Sequence, residues 1–170
     1  MSVAPHFTKN NNFESSFRKF RITTLSSSKH TVVEYVQVSI PWTFDNIQAN
    51  EFVIKTFSGE IGSVANTEQL AYALHLRDTK GIPKLYAAVN LALVLEYTGE
   101  PCTHYPFTFD DLKQVCTIIA GIHAKKYVHN DLKSTNITRR MKPYTQQQEF
   151  FIIDFECLSL NDNYSPLSYT

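Results

Sequence analysis

The sequence predicts an α+β fold in which an antiparallel β-sheet comes first and a smaller helical part follows. Residues 21–40 and 51–57 alternate apolar and polar side chains and are rich in β-branched residues, as half-buried strands are. From Thr108 the apolar residues recur at helical spacing. A chain of 170 residues with 43% hydrophobic content is about one domain in size and long enough to bury a core.

The sheet is predicted from its strands in order. Arg21–Ile40 is expected to form a strand pair, and a loop with Pro41, Asp45 and Asn46 leads to the strand Glu51–Phe57. A period of two puts Val53, Lys55 and Phe57 on one face of that strand. A lysine in such a strand ordinarily occupies an edge or faces solvent.

A helix is predicted next, over residues 63–76, with Ser63 or Asn66 as its N-cap and Glu68 in its first turn. Gly81–Tyr86 is expected to end the connection and begin a fourth strand. Leu91–Gly99 is expected to contain a fifth strand, although its apolar run fits any buried strand.

The helical part begins at a variant capping box, in which Thr108 is followed three residues later by Asp111. The buried stripe of this helix is predicted from four residues, Leu112, Val115, Ile119 and Ile122. His123 and His129 are expected to be structural. Thr138–Glu149 is polar and predicts a surface excursion.

Composition and charge exclude several classes of protein. The formal net charge is zero, which gives no electrostatic footprint for nucleic acid or for an anionic membrane. The apolar runs are too short for a membrane span, and the first residues lack a signal-peptide core, so we expect a cytoplasmic setting. Three scattered cysteines predict ordinary thiols, with Cys116 in the core and Cys102 exposed.

Two acidic loops carry the candidate chemistry. The first is His129–Asn136, and the second follows the apolar strand Phe150–Ile153 and begins at Asp154. Asp131, Asn136 and Asp154 supply two carboxylates and a carboxamide, which suit a base and the hard oxygen ligands of Mg²⁺. Such residues often only cap turns, but here a hydrophobic strand delivers Asp154.

The order of these segments resembles the protein-kinase-like superfamily. His129–Asn136 is similar to the catalytic loop H-R-D-L-x-x-x-N, with Asn130 in place of Arg. The resemblance implies a two-lobed fold with an antiparallel N-lobe and a shortened helical C-lobe. It implies that Asp131 meets the substrate hydroxyl and Lys133 the transferring phosphate, while Asn136 and Asp154 hold Mg²⁺. Glu156 stands where the Asp-Phe-Gly motif has glycine.

The same resemblance implies an ATP site. Lys55 would reach the α- and β-phosphates and pair with Glu68, or alternatively with Glu60. The implied adenine contacts are Val33, Val53, the gatekeeper Leu95, the Glu96 carbonyl and the Thr98 amide. Ser26, Ser28 and Thr31 stand at the three positions of the glycine-rich loop, so we expect weaker nucleotide binding, and the alternative there is a plain hairpin turn.

The sequence thus predicts a flexible segment 1–12 and one kinase-like domain over 13–170, with an N-lobe at 13–97 and a minimal C-lobe at 98–170. The resemblance covers about residues 20–157, and the chain ends at Thr170 without an Ala-Pro-Glu motif. The expected function is transfer of the γ-phosphate of Mg·ATP to a hydroxyl, as in a minimal Ser/Thr kinase with a protein substrate or partner. The alternatives are a catalytically inactive kinase mimic that binds a partner kinase or its substrate, and a piece of a longer kinase.

Overall fold

The structure, a computed structural model, describes residues 20–58, 62–142, 144–145 and 147–161, with only the backbone of residues 62 and 63. The predicted flexible segment 1–12 and Glu60 lie outside the described residues. The fold is mixed α+β, as predicted, with mostly antiparallel sheets. Among the described residues, no helix combines the length and apolar character that a membrane crossing requires.

A five-stranded antiparallel sheet contains the predicted N-terminal strands in the order β1-β2-β3-β5-β4. Its strands are β1 (Phe20–Ser27), β2 (Thr31–Phe44), β3 (Ile47–Phe57), β4 (Leu85–Val89) and β5 (Ala92–Glu96). The prediction that Pro41 lies in a loop is wrong, because β2 continues to Phe44. The register between β2 and β3 shifts between Gln37 and Trp42, and such an irregularity accommodates a residue that lacks an N–H donor.

The helical segment between β3 and β4 lies close to the predicted residues 63–76, but its second half is π-helical. Helix α1 (Gly62–Leu70) passes into a π-helical turn at Ala71–His75, where the Leu76 amide donates to the Ala71 carbonyl at 2.8 Å. Asn66 lies inside α1, so its assignment as the N-cap is wrong. The alternative cap, the Ser63 side chain, lies outside the described residues. Ala71, Tyr72 and Leu76 are all buried, so this wide turn is packed into the core.

The second part of the chain contains one long helix and three short strand pairings. Its elements are β6 (Glu100–Pro101), α2 (Phe109–Ala124), β7 (Tyr127–Val128), a 3₁₀ turn (Ser134–Asn136), β8 (Ile137–Met141), β9 (Gln148–Ile152) and β10 (Ser159–Leu160). The segment 138–149 is mostly a hairpin of β8 and β9, rather than the irregular surface turn that was predicted. Thr138 is its one buried residue among those described, and Met141 and Tyr144 are exposed.

The capping box at the start of α2 is confirmed. The Asp111 amide donates to Thr108 Oγ1 at 3.3 Å, and the Thr108 amide donates to Asp111 Oδ2 at 2.9 Å. The prediction of the buried stripe of α2 was partly correct. Val115, Ile118 and Ile122 are buried, whereas Leu112 is half exposed. In the first turn Asp111 faces inward to bind Thr108, which turns the neighbouring Leu112 outward.

Both predictions of cysteine burial are wrong. Cys102 is 1% exposed, because its amide donates to the Ile137 carbonyl and places it inside the core beside the hairpin. Cys116 is exposed, since it follows the buried Val115 on the outward side of α2.

The main hydrophobic core joins the sheet, α1 and α2 through residues that include Leu76, Leu93, Ile122 and Phe155. A smaller apolar cluster around Phe52 covers the other face of the sheet. This arrangement anchors Phe155, which is fully buried, and thereby fixes the loop that carries Asp154 and Glu156.

Candidate active site

A cavity of about 610 Å³ lies between the sheet and the second part of the chain. Val33, Val53 and Lys55 line it from the sheet, and Asn136 and Asp154 line it from the two acidic loops. Small-molecule and cofactor sites fall in this size range, from about 300 to 1,000 Å³. The cavity is therefore large enough for a nucleotide.

Lys55 lies at the inner end of this cavity and is 6% exposed. Its Nζ is 2.7 Å from Glu68 Oε2, 2.7 Å from Asp154 Oδ1 and 2.8 Å from Glu156 Oε1. The structure thus brings Lys55 together with its predicted partner Glu68, and the alternative of a solvent-facing lysine is wrong. The contact with Asp154 joins the sheet to the second acidic loop.

Three carboxylates around one ammonium leave this cluster with an excess of negative charge. Burial, only partly offset by Lys55, raises the pKa of Glu68 to about 7. Burial alone would lower the pKa of Lys55, but the carboxylates of Glu68 and Asp154 raise it above its ordinary value. Lys55 is therefore a firmly held cation at neutral pH.

The first acidic loop forms a compact hydrogen-bonded unit. Lys133 Nζ donates to Asp131 Oδ2 at 2.7 Å. Asn136 Nδ2 donates to the Asp131 backbone oxygen at 2.9 Å and to Asp131 Oδ2 at 3.1 Å. The hydrogen bond from Lys133 lowers the pKa of Asp131, so this carboxyl is ionised at neutral pH. Asp131 is thus held as a hydrogen-bond acceptor beside Asn136, which lines the cavity.

Hydrogen bonds fasten the two acidic loops to each other. The Ile153 amide donates to the Asn136 carbonyl at 3.0 Å, and His129 Nε2 lies 2.9 Å from the Ile153 carbonyl oxygen. Asn130 Nδ2 donates to the Cys157 carbonyl at 2.9 Å and to Ser159 Oγ at 2.8 Å. Asn130 and Asp154 adopt the left-handed conformation, with φ of 62° and 69°. The contacts of His129 agree with its predicted structural role.

The strand β5 and the residues that follow it contribute to the cavity lining. Leu95 is buried and lines the cavity with Glu96 and Thr98. Glu96 pairs with Arg140 at 2.8 Å, and Thr98 Oγ1 accepts a hydrogen bond from Thr138 Oγ1 at 2.7 Å. The residues predicted to contact adenine, which are Val33, Val53, Leu95, Glu96 and Thr98, therefore all line the cavity.

The predicted glycine-loop positions lie on the β1–β2 hairpin. The Ser28 amide donates to the Thr31 carbonyl at 2.8 Å, and Ser28 Oγ accepts from the Thr31 amide at 3.0 Å. These bonds match the alternative of a plain hairpin turn. Ser26 and Ser28 nevertheless line the cavity, so the turn borders it.

Sequence reasoning missed two residues of the site. Glu156 was recognised only as a replacement for glycine, but its carboxylate contacts Lys55 directly. Tyr72 is buried, lines the cavity and accepts a hydrogen bond at its hydroxyl from the Asp154 amide at 3.3 Å. The available signal for Tyr72 was its position four residues after Glu68, which places both on one helical face.

Oxygen ligands suited to a magnesium ion are present in the cavity. The carboxylates of Glu68, Asp154 and Glu156 each have an oxygen within 4.8 Å of the others. Asn136, whose Nδ2 donates to Asp131, lines the same cavity. Hard oxygen ligands of this kind are those that Mg²⁺ takes alongside phosphate oxygens and water. No protein-family model matches the chain, and no curated protein matches it. Function is therefore inferred from the geometry of the cavity and of the two acidic loops.

Proposed function

We propose that the protein is an ATP-dependent phosphotransferase with a protein-kinase-like, two-lobed fold, most simply a minimal Ser/Thr protein kinase. One observation carries the proposal. Lys55, Asn136 and Asp154 line a single nucleotide-sized cavity, and Asn136 is hydrogen-bonded to Asp131, which is not itself among the lining residues. Four polar residues spread over 100 positions of sequence rarely meet in this way unless they act together.

Each side chain has a role that its environment supports. Lys55, held by Glu68, would receive the α- and β-phosphates of ATP as a fixed cation. Asn136 and Asp154 would hold Mg²⁺, which neutralises phosphate charge when it is bound. Asp131 would accept a hydrogen bond from the acceptor hydroxyl, while Lys133 neutralises the transferring group. Catalysis would come from positioning and from fixed charges.

The outer part of the cavity suits a flat aromatic base. Val33, Val53 and Leu95 provide apolar lining, and Glu96 and Thr98 also line the cavity. This arrangement supports adenine as the base. A protein hydroxyl remains our proposed acceptor, with a small molecule or the protein itself as the other acceptors to be tested.

Transfer of radiolabel from Mg·[γ-³²P]ATP tests the proposal. The purified protein is expected to label itself, a protein acceptor mixture or a small alcohol. Asp131→Asn is expected to abolish labelling while leaving the melting temperature and the thermal shift caused by Mg·ATP unchanged. Asp110→Asn, which removes an exposed carboxylate at the start of α2, is the matched control and should retain activity. Equal labelling by Asp131→Asn would refute the role of Asp131.

A second candidate function is that of a catalytically inactive kinase mimic, which binds a partner kinase or its substrate. Two observations favour it. The Glu156 carboxylate already contacts Lys55, the cation that a phosphate would need. The Ser28 hydroxyl already accepts a hydrogen bond from the Thr31 amide inside the hairpin turn. The mimic predicts no thermal shift with Mg·ATP and no labelling by the wild-type protein. A concentration-dependent shift together with labelling rules it out.

A further inference from the structure

The charges that line the cavity are strongly unbalanced. Among the described residues of its lining, Lys55 is the one basic side chain, whereas five are acidic: Glu68, Glu96, Glu100, Asp154 and Glu156. Glu96 is neutralised by Arg140 from outside the lining. An anionic ligand therefore depends on Lys55 for its attraction and meets repulsion from the remaining carboxylates.

The three carboxylates on Lys55 differ in how firmly they are held. Glu68 is completely buried. Asp154 is fixed by its backbone, because its amide donates to the Tyr72 hydroxyl and the fully buried Phe155 follows it. Glu156 lies in a turn, and its side chain is 31% exposed. The Asp154 side chain is equally exposed, at 32%, so the two differ in how the backbone is held rather than in exposure. Glu156 is thus the carboxylate that can leave Lys55 with the least disturbance of the core.

We propose that Glu156 is an affinity-determining residue, whose carboxylate competes with the anionic group of any ligand for Lys55. This inference rests on the proposed function, because it assumes that a phosphate approaches Lys55 in this cavity. A phosphate that binds Lys55 must displace Glu156 or lie against it. The Glu156 carboxylate repels free polyphosphate, which carries its full negative charge, more strongly than it repels polyphosphate complexed with Mg²⁺. Glu156 therefore makes the cavity select metal-complexed over free phosphates.

Isothermal titration of the wild-type protein and of Glu156→Gln tests this inference. The probes are adenosine, ADP in excess EDTA, Mg·ADP, and pyrophosphate in EDTA. Removing one charge within a few ångströms of a multiply charged anion is expected to tighten its binding by roughly tenfold. We expect that gain for free ADP and pyrophosphate, a gain of about threefold for Mg·ADP, and no change for adenosine.

The matched control is Glu149→Gln. Glu149 pairs with Arg140 at 3.2 Å, its side chain is 27% exposed, and it is not part of the cavity lining. This variant should bind every probe as the wild type does. Melting temperatures check that each variant is folded. Glu156→Asp retracts the carboxylate from Lys55 by one methylene, should give a smaller gain, and serves if the glutamine variant does not fold.

The outcomes separate this inference from the proposed function. Equal affinity of the wild type and Glu156→Gln for free ADP and pyrophosphate overturns the inference, even if Mg·ATP is a substrate. Absence of pyrophosphate binding to Glu156→Gln also overturns it, because Lys55 would then not accept an anion. If pyrophosphate binds more tightly to Glu156→Gln while adenosine and Mg·ADP bind neither protein, the inference holds and the nucleotide function fails.

Discussion

The buried carboxyl of Glu68 should make the stability of the folded protein fall as the pH rises towards neutrality. The change that isolates this effect is Glu68→Gln, which keeps the shape of the side chain and removes its ability to ionise. Lys55 retains the carboxylates of Asp154 and Glu156 in this variant, so it is not left without a counter-ion. The substitution therefore tests the ionisation of Glu68 rather than the loss of every partner of Lys55.

The magnitude follows from the pKa. Burial raises the pKa of Glu68 from its ordinary 4.5 to about 7 in the folded protein. Between these values the folded protein holds a proton that the unfolded chain releases, so the free energy of unfolding decreases as the pH rises. The stabilisation is fully present below pH 4.5 and is lost through about pH 7. One pKa unit corresponds to about 1.4 kcal/mol, so the total loss is about 3 kcal/mol.

The assay is urea unfolding of both proteins at pH 5, 6, 7 and 8. We expect similar free energies of unfolding at pH 5, and a difference that grows in favour of Glu68→Gln by about 3 kcal/mol at pH 8. Glu149→Gln controls for the loss of a carboxylate outside the cavity. A difference that stays constant with pH, or that grows in favour of the wild type, would show that the ion pair with Lys55 outweighs the burial of Glu68.

Two further predictions concern the fold around the cavity. Gly99→Ala should destabilise the protein by about 3 kcal/mol in urea unfolding, because Gly99 has a φ of 89° and an added Cβ would clash with the Arg139 carbonyl. Gly121→Ala, where the Cβ would lie 3.1 Å from a Thr79 methyl group, should change stability by less than about 1 kcal/mol, and equal effects would contradict the role of Gly99. A thiol reagent should rapidly label the exposed Cys116 and Cys157 of the native protein and should react with the buried Cys102 only after unfolding. Rapid labelling of all three thiols in the native protein would contradict the burial of Cys102.

Features set by neighbouring residues were predictable from the sequence. The strand pair of β2 and β3 was found from its alternation of apolar and polar residues, and the Thr108–Asp111 capping box was found because it depends on residues three apart. The resemblance implied the pair of Lys55 with Glu68 and the convergence of Lys55 and Asp154 on one cavity, but not their direct contact. Local patterns do not determine such a contact, because it joins three separate elements.

Features set by tertiary packing were missed for the same reason. Cys102 follows a polar turn, but its backbone pairs with Ile137, and that pairing decides its burial. Cys116 has apolar neighbours, yet the side of α2 that packs inward is fixed by Val115 and Ile118. The contact of Glu156 with Lys55 depends on the path of the turn after Asp154, which has no signature in sequence periodicity.

The left-handed backbone of Asp154 sets stability and ligand binding against each other at one position. A residue with a Cβ in this conformation costs about 1 kcal/mol relative to glycine, so Asp154→Gly would relax the main chain while removing a carboxylate from the cavity. In a library randomised at position 154, survivors of a heat challenge alone should drift towards glycine. Survivors chosen for retention on an immobilised nucleotide should keep aspartate, and sequencing the two pools would reveal what the strained residue is kept for.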